Sequence, residues 1–349
     1  EEKKKIKELI DQHKAMQKQM KQVVEQNKMN NTRESEFKNM DEEMKEKQEE
    51  LEDLFDKVMD EEMKELMEEI ERLMEENKKD ELMEKLEQLE FSDKEMNKQM
   101  DRMLEQLKQL QLEKKVDETV KKLEKLAEKQ KKLSEETKDK QKDKEDLLKK
   151  QEDLNKEFQK TKEDLKDIQK KNKDLEKPLN MDTKKQEETQ KQIEQEQKES
   201  SEQLKKNKRS NASQKQQKAA EDMKKMAKDL DQMMQSAQEQ QQSEDYNTLR
   251  EILENLIHVS KDQEDLMQEF KTMRNYNPRY VEMGQYQKKI KDDAKMIEDS
   301  LLSLSKRVKQ VEHFVNKEIG LVNSHMGKTL KELGERRTGK VVTHQQYVM

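Results

Sequence analysis

Apolar residues recur along this chain at steps of three and four, and polar residues fill almost every position between them. From Met96 the stripe passes through Met100, Met103, Leu107 and Leu110. It resumes at Val116, Val120, Leu123 and Leu126, and again at Leu147, Leu154, Phe158, Leu165, Ile168 and Leu175. That period sets one face of an α-helix against a partner. Ser92-Asp93-Lys94-Glu95 has the form of a capping box, which predicts a helix start with Phe91 stapled onto Met96. Pro178 predicts the end, because it lacks an N–H and disfavours helix in the residue before it. Unbroken, the element would be about 125 Å long. The stripe lapses between Leu133 and Leu147 into Thr137, Lys140 and Lys144, with no Gly or Asn to mark a turn. Residues 92–177 therefore read as one long coiled-coil helix or as a hairpin turned in that lapse.

The same reading divides the rest of the chain. Helices are predicted over 1–28 and 33–77, with an Asn-rich turn at 27–32 and a corner at 77–80, then a short helix through Leu82, Leu86 and Leu89; residues 1–91 read as an N-terminal helical bundle. In 178–217, Ile193 and Leu204 are nearly the only large apolar residues after Met181, which predicts a polar helical linker with a hinge at 210–213. Residues 218–349 read as a C-terminal helical hairpin bundle. Its seam runs through Met223, Met226, Leu230 and Met233, Ser243 is a candidate cap, and 275–278 contains the Asn-Pro turn of an antiparallel hairpin.

The last element carries Ile290, Ala294, Ile297, Leu301, Leu304, Val308, Val311 and Val315, in strict alternation of four and three. Beyond it Gly320, Gly327 and Gly334 recur every seven residues. Each glycine costs about 1 kcal/mol in a helix, and the physical reason to keep three in register is close approach of a partner backbone. Ile297, Leu301, Leu304, Val308, Val311, Gly320, Gly327 and Gly334 are accordingly the candidate helix-packing or partner-docking surface.

Composition narrows the class. Of 349 residues, 45% are charged and 29% hydrophobic, with no Trp, five Gly and two Pro. An ordinary globular domain is nearly half apolar, so a thick core is excluded and an elongated all-α fold of antiparallel coiled coils and thin helical bundles is expected. The formal charge of −7 comes from interleaved acidic and basic residues, not from the clustered Lys and Arg that nucleic acid or an anionic membrane requires. There is no Cys, and no apolar run of bilayer length. A membrane would be reached only through segments outside this sequence, which reads as a fragment of a longer protein.

Candidate chemistry is sparse. The histidines are His13, His258, His313, His325 and His344, with no Glu-x-x-His, no His-x-x-x-His and no Cys beside them, so no metal or cofactor is expected. Acidic runs such as Asp60-Glu61-Glu62 read as solvated helix faces, and no phosphate-binding glycine loop is present. No catalytic residue is assigned and no enzymatic activity is expected. The 24 methionines read as seam fillers; the alternative is an adaptable groove for apolar clients.

One resemblance bears on function. His344-Gln345-Gln346-Tyr347-Val348-Met349, preceded by Gly334-Glu335-Arg336-Arg337, is similar to the end of the helical region in an uncharacterised family of large, membrane-anchored bacterial envelope coiled-coil proteins. Leu302-Ser303-Leu304-Ser305-Lys306-Arg307 and Phe55-Asp56-Lys57-Val58-Met59-Asp60 resemble the same family. The resemblance implies a bacterial envelope location, periplasmic with an inner-membrane anchor elsewhere, and transfers no catalytic residues. The expected function is a non-enzymatic scaffold or spacer that binds other proteins of an envelope complex, with homo-oligomers compatible; the alternative is a chaperone-like holdase.

Overall fold

The structure is a computed structural model that describes residues 79–273, 277, 279–308, 311 and 313–349, with isolated positions at 11, 15, 18, 22, 66, 68–70, 72 and 73. The helices predicted over 1–28 and 33–77, the turn between them and the motif at 55–60 otherwise lie outside the described residues. The fold is all-α, and no strand occurs among the described residues. The helices are α1 (Lys79–Lys138), α2 (Lys144–Lys173), α3 (Lys184–Lys205), α4 (Arg209–Thr272), α5 (Tyr280–Ser305), α6 (His313–Gly334) and α7 (Thr338–Val348).

Packing divides the chain into two units, and not into the four consecutive parts expected (1–91, 92–177, 178–217 and 218–349). One unit combines Glu1–Gln106 with Glu244–Met349; the other is Leu107–Ser243. The reason is that α1 and α4 each run past the residues where a local signal placed a helix start. Ser92 lies inside α1, and Ser243 lies inside α4. Leu82, Leu86 and Leu89 already continue the α1 stripe upstream of Ser92, so the capping-box residues have helix on both sides.

In the Leu107–Ser243 unit, four helical segments pack antiparallel to their neighbours. Lys115 and Lys122 of α1 meet Asp164 of α2, while Lys129 meets Glu157. Gln159 and Lys162 of α2 meet Glu194 of α3, and Asn155 meets Ser201. Lys215 of α4 pairs with Glu199 of α3, and Ser213 of α4 donates to the Ser134 carbonyl of α1. The turn between α1 and α2 falls in the predicted lapse. Asp143 caps α2 by accepting from the N–H groups of Glu145 and Asp146, which satisfies two of the four orphan donors of a helix start. Helix α2 ends at Lys173, ahead of Pro178; the Asn172 amide then holds the returning chain through the N–H and carbonyl of Leu179.

The expected polar linker and hinge are both corrected. Helix α3 packs into the core, burying Gln186, Gln190, Ile193, Glu196, Gln197, Ser200, Ser201 and Leu204. The chain turns at 206–208, not at 210–213. Asn207 adopts φ 57°, and the Lys208 N–H reaches the Gln203 carbonyl, the six-to-one bond of a Schellman ending. Ser210 lies in the first turn of α4, and Ala212 and Ser213 are buried.

In the other unit, α4 and α5 form the antiparallel hairpin expected around 275–278. Of that turn only Asn277 is described; its side chain accepts from the Arg279 N–H. Phe270 and Tyr280 meet edge to face across the hairpin, with ring centroids 5.7 Å apart. Ile252, Val259 and Leu266 of α4 pack with Ile290, Ile297, Leu301 and Leu304 of α5, Met326 of α6 and Val341 of α7. The predicted final helix is not continuous: α5 ends at Ser305 and α6 begins at His313. At that end Gln106 donates to the Ser305 carbonyl, while Arg307 turns back to a buried Asp245.

Candidate functional site

The predicted docking stripe lies inside the protein's own core. Ile297, Leu301, Leu304 and Val311 are buried, and Val308 packs half-buried against the same cluster. These residues serve helix packing, and their faces are already occupied. The three glycines do not share one role. At Gly320 a Cβ would stand 3.1 Å from Glu95 Oε1 and 3.3 Å from Phe91 Cζ, so the close approach is by side chains, not by a partner backbone. At Gly327 a Cβ would meet only Lys291 Nζ at 3.5 Å, and at Gly334 nothing within 4 Å. Gly327→Ala is therefore expected to stabilise the chain by up to about 1 kcal/mol through helix propensity alone; Gly320→Ala should gain less or lose, because Phe91 must shift. Thermal melts of the two variants distinguish these outcomes.

Beside Gly320 is a half-buried charge cluster. Lys98 bridges Glu95 and Glu298, Lys295 adds a contact to Glu298, and Asn323 donates to the same carboxylate at 2.8 Å. Burial raises the Glu95 carboxyl above its ordinary range despite Lys98. Burial also disfavours charge on Lys98, but its hydrogen bonds to Glu298 and Glu95 outweigh that and raise it. Carboxylates, ammonium groups and an amide make up the cluster, so its chemistry is that of ion pairing between α1 and α5 with a hydrogen bond from α6.

The surface offers a different feature, which sequence reasoning missed. Tyr246, Leu253 and Ile257 of α4 are 71%, 52% and 55% exposed. Spaced by seven and four, they share one helix face, separate from the seam of Ile252, Val259 and Leu266 that points into the core. Arg250 and Glu254, an ion pair four residues apart, flank the stripe. The signal was available: in this stretch α4 carries apolar residues over more of its circumference than a single seam needs.

Two titratable pairs stand apart from these surfaces. On α6 and α7, His325 Nδ1 lies 3.3 Å from His344 Nδ1, and the Tyr347 ring stacks on His325 with centroids 4.9 Å apart. Burial, with neighbouring lysines, pushes both imidazoles below their ordinary range. On α3, burial and the adjacent Asp222 push the Glu196 carboxyl up to about 7. A carboxyl raised in the folded state stabilises most fully below its unfolded value near 4.5, and loses that contribution as pH rises through about 7. Glu196→Gln is expected to flatten this dependence and to raise the urea midpoint at pH 8 relative to the parent, measured against pH 5.

Among the described residues, no group of three or more His, Cys, Asp or Glu is placed to hold a metal ion, and no helix is long and apolar enough to cross a membrane. No protein-family model, curated protein or solved structure matches the chain.

Proposed function

We propose that this chain is a non-enzymatic helical scaffold or spacer that holds partner proteins in a bacterial envelope complex. The observation that carries the reading is the exposed stripe of Tyr246, Leu253 and Ile257 beside a core that already satisfies its own seam. Exposed apolar residues grouped on one helix face mark a contact surface more often than singly scattered ones do. Docking therefore moves from the predicted 290–334 stripe to α4. The envelope location rests on the resemblance of the C-terminal motif. The holdase alternative needs open methionines; Met296 and Met349 are 62% and 52% exposed, whereas Met223, Met226, Met234, Met267, Met283 and Met326 are buried as seam fillers.

The test uses the full chain, purified with its partners from bacterial envelopes after cross-linking. A partner in fixed stoichiometry is expected, and Leu253→Glu with Ile257→Glu should abolish its capture. Those surface changes should leave the melting behaviour of the chain within about 0.5 kcal/mol of the parent. Retention of every partner by the double variant would overturn the assignment of α4. Suppression of aggregation of unrelated proteins, with no fixed partner, would favour the holdase.

A further inference from the structure

We propose that His325 and His344 form an acid-sensitive latch that holds α7 against α6. The Nδ1 atoms face each other at 3.3 Å. That contact is a hydrogen bond only when one nitrogen carries a proton and the other accepts it. Two imidazolium rings would each present an N–H, so double protonation turns the contact into repulsion. The charged groups around the pair reinforce this. Lys328 on α6 opposes charge on both rings, and Lys340 on α7 opposes it on His344. Glu332 on α6 acts the other way but is bound by Arg337. The Tyr347 ring covers His325, and Gln287 of α5, which accepts from Gln345 of α7 and is paired with Gln263 of α4, is uncharged.

The sign follows from linkage. In detached α7 the rings would titrate near their ordinary value of about 6.5. Docked, burial and the lysines hold them lower. The detached state therefore binds more protons, and docking weakens as pH falls below about 6.5 while remaining full above it.

The architecture allows this release to be local. Helix α7 has 11 residues, too few to be stable alone in water. Its connection to α6 is the short turn at 335–337, with Arg336 at φ 55°. Only Val341 and Gln345 of α7 are fully buried. Gln345 donates to Gln287, which is already reciprocally bonded to Gln263, so that pair survives when α7 leaves.

Amide hydrogen exchange of residues 338–349 in the intact chain, corrected for intrinsic rates, tests the latch at pH 7.5 and 5.0. Protection of α7 is expected to fall several-fold at pH 5.0, because the detached state binds protons that the docked rings resist. Helix α2 serves as the internal reference. His325→Gln with His344→Gln replaces both rings with neutral hydrogen-bonding groups and should make α7 protection the same at both pH values. Equal protection of the parent at both pH values overturns the latch, as does a double variant that keeps the dependence. If that variant fails to dock α7, direct NMR titration of His325 and His344 in the parent decides: values below the ordinary range support the latch, and values at or above it overturn it.

Discussion

Replacing Arg307 with alanine is expected to destabilise the chain by roughly 3–5 kcal/mol. Arg307 follows the last turn of α5 and directs Nη2 and Nε to Asp245 Oδ1 at 2.9 and 3.2 Å. Both side chains are less than a tenth exposed, at 8% and 7%. Nη1 also donates to the carbonyl and hydroxyl of Ser303. Truncation leaves a buried carboxylate without its countercharge, and that penalty dominates over the attraction lost. The distinction is testable, because Asp245→Leu combined with Arg307→Met removes both charges and should recover most of the loss or exceed the parent. Urea denaturation of the parent, the Arg307→Ala variant and the double variant measures this. A cost below about 1 kcal/mol for Arg307→Ala would mean that the pair behaves as an exposed one.

Gln151→Leu is expected to cost about 3 kcal/mol or more, although it adds apolar volume to a core. Gln151 sits at the centre of a buried polar layer drawn from four helical segments. Its amide donates to Gln130 Oε1 and Asn155 Oδ1 at 3.1 and 2.8 Å, and its carbonyl accepts from Gln130, Ser200 and Gln216. Gln197 joins through Gln130. Leucine leaves several of these groups without a partner where water does not reach, at about 1–3 kcal/mol for each one stranded. Changing Gln130, Gln151, Gln197 and Gln216 together to leucine should restore the denaturation midpoint. It should also blur the register of the four helices, because a layer of leucines is satisfied by several alignments and the amide layer by one. Loss of NMR dispersion at unchanged helicity would reveal that blurring. Sharp spectra from the all-leucine layer would show that register is set elsewhere.

The layer also explains why α3 looked like a linker. Counting only large apolar residues leaves Ile193 and Leu204 in that stretch. Counting buried amides and hydroxyls, the seam runs through Gln186, Gln190, Ile193, Gln197, Ser200 and Leu204, with the same alternation of four and three as the leucine stripes. The opposing face of α4 answers with Ala212, Gln216, Ala219 and Met223. Small residues let the helices approach, and amides pair across the gap. The periodicity was in the sequence; its meaning depended on a partner helix presenting matching amides.

The candidate site was legible to a different degree. Ile297, Leu301 and Leu304 were picked as a packing or docking face, because strict heptad spacing is a local property. Whether such a face is open or filled is not local. It was filled by α4, α6 and α7, and the exposed stripe appeared on α4 instead. Gly320, Gly327 and Gly334 show the same limit: their equal spacing suggested one role, but only Gly320 is closely approached.

By itself the sequence determined that the chain is helical, that its helices pack along narrow seams, and that it turns near Asn277; the lapse after Leu133 read equally as a turn or as continuous helix, and the structure makes it a turn. Those features follow from the period of side chains around a helix and from the cost of leaving a seam wet. Only the tertiary structure decided that α1 runs through Ser92, that α4 runs through Ser243, that α5 stops at Ser305, and that residues far apart in sequence share a unit. A helix end is a set of unpaired backbone groups, and a distant side chain such as Gln106, donating to the Ser305 carbonyl, can satisfy one where no neighbouring residue gives a signal.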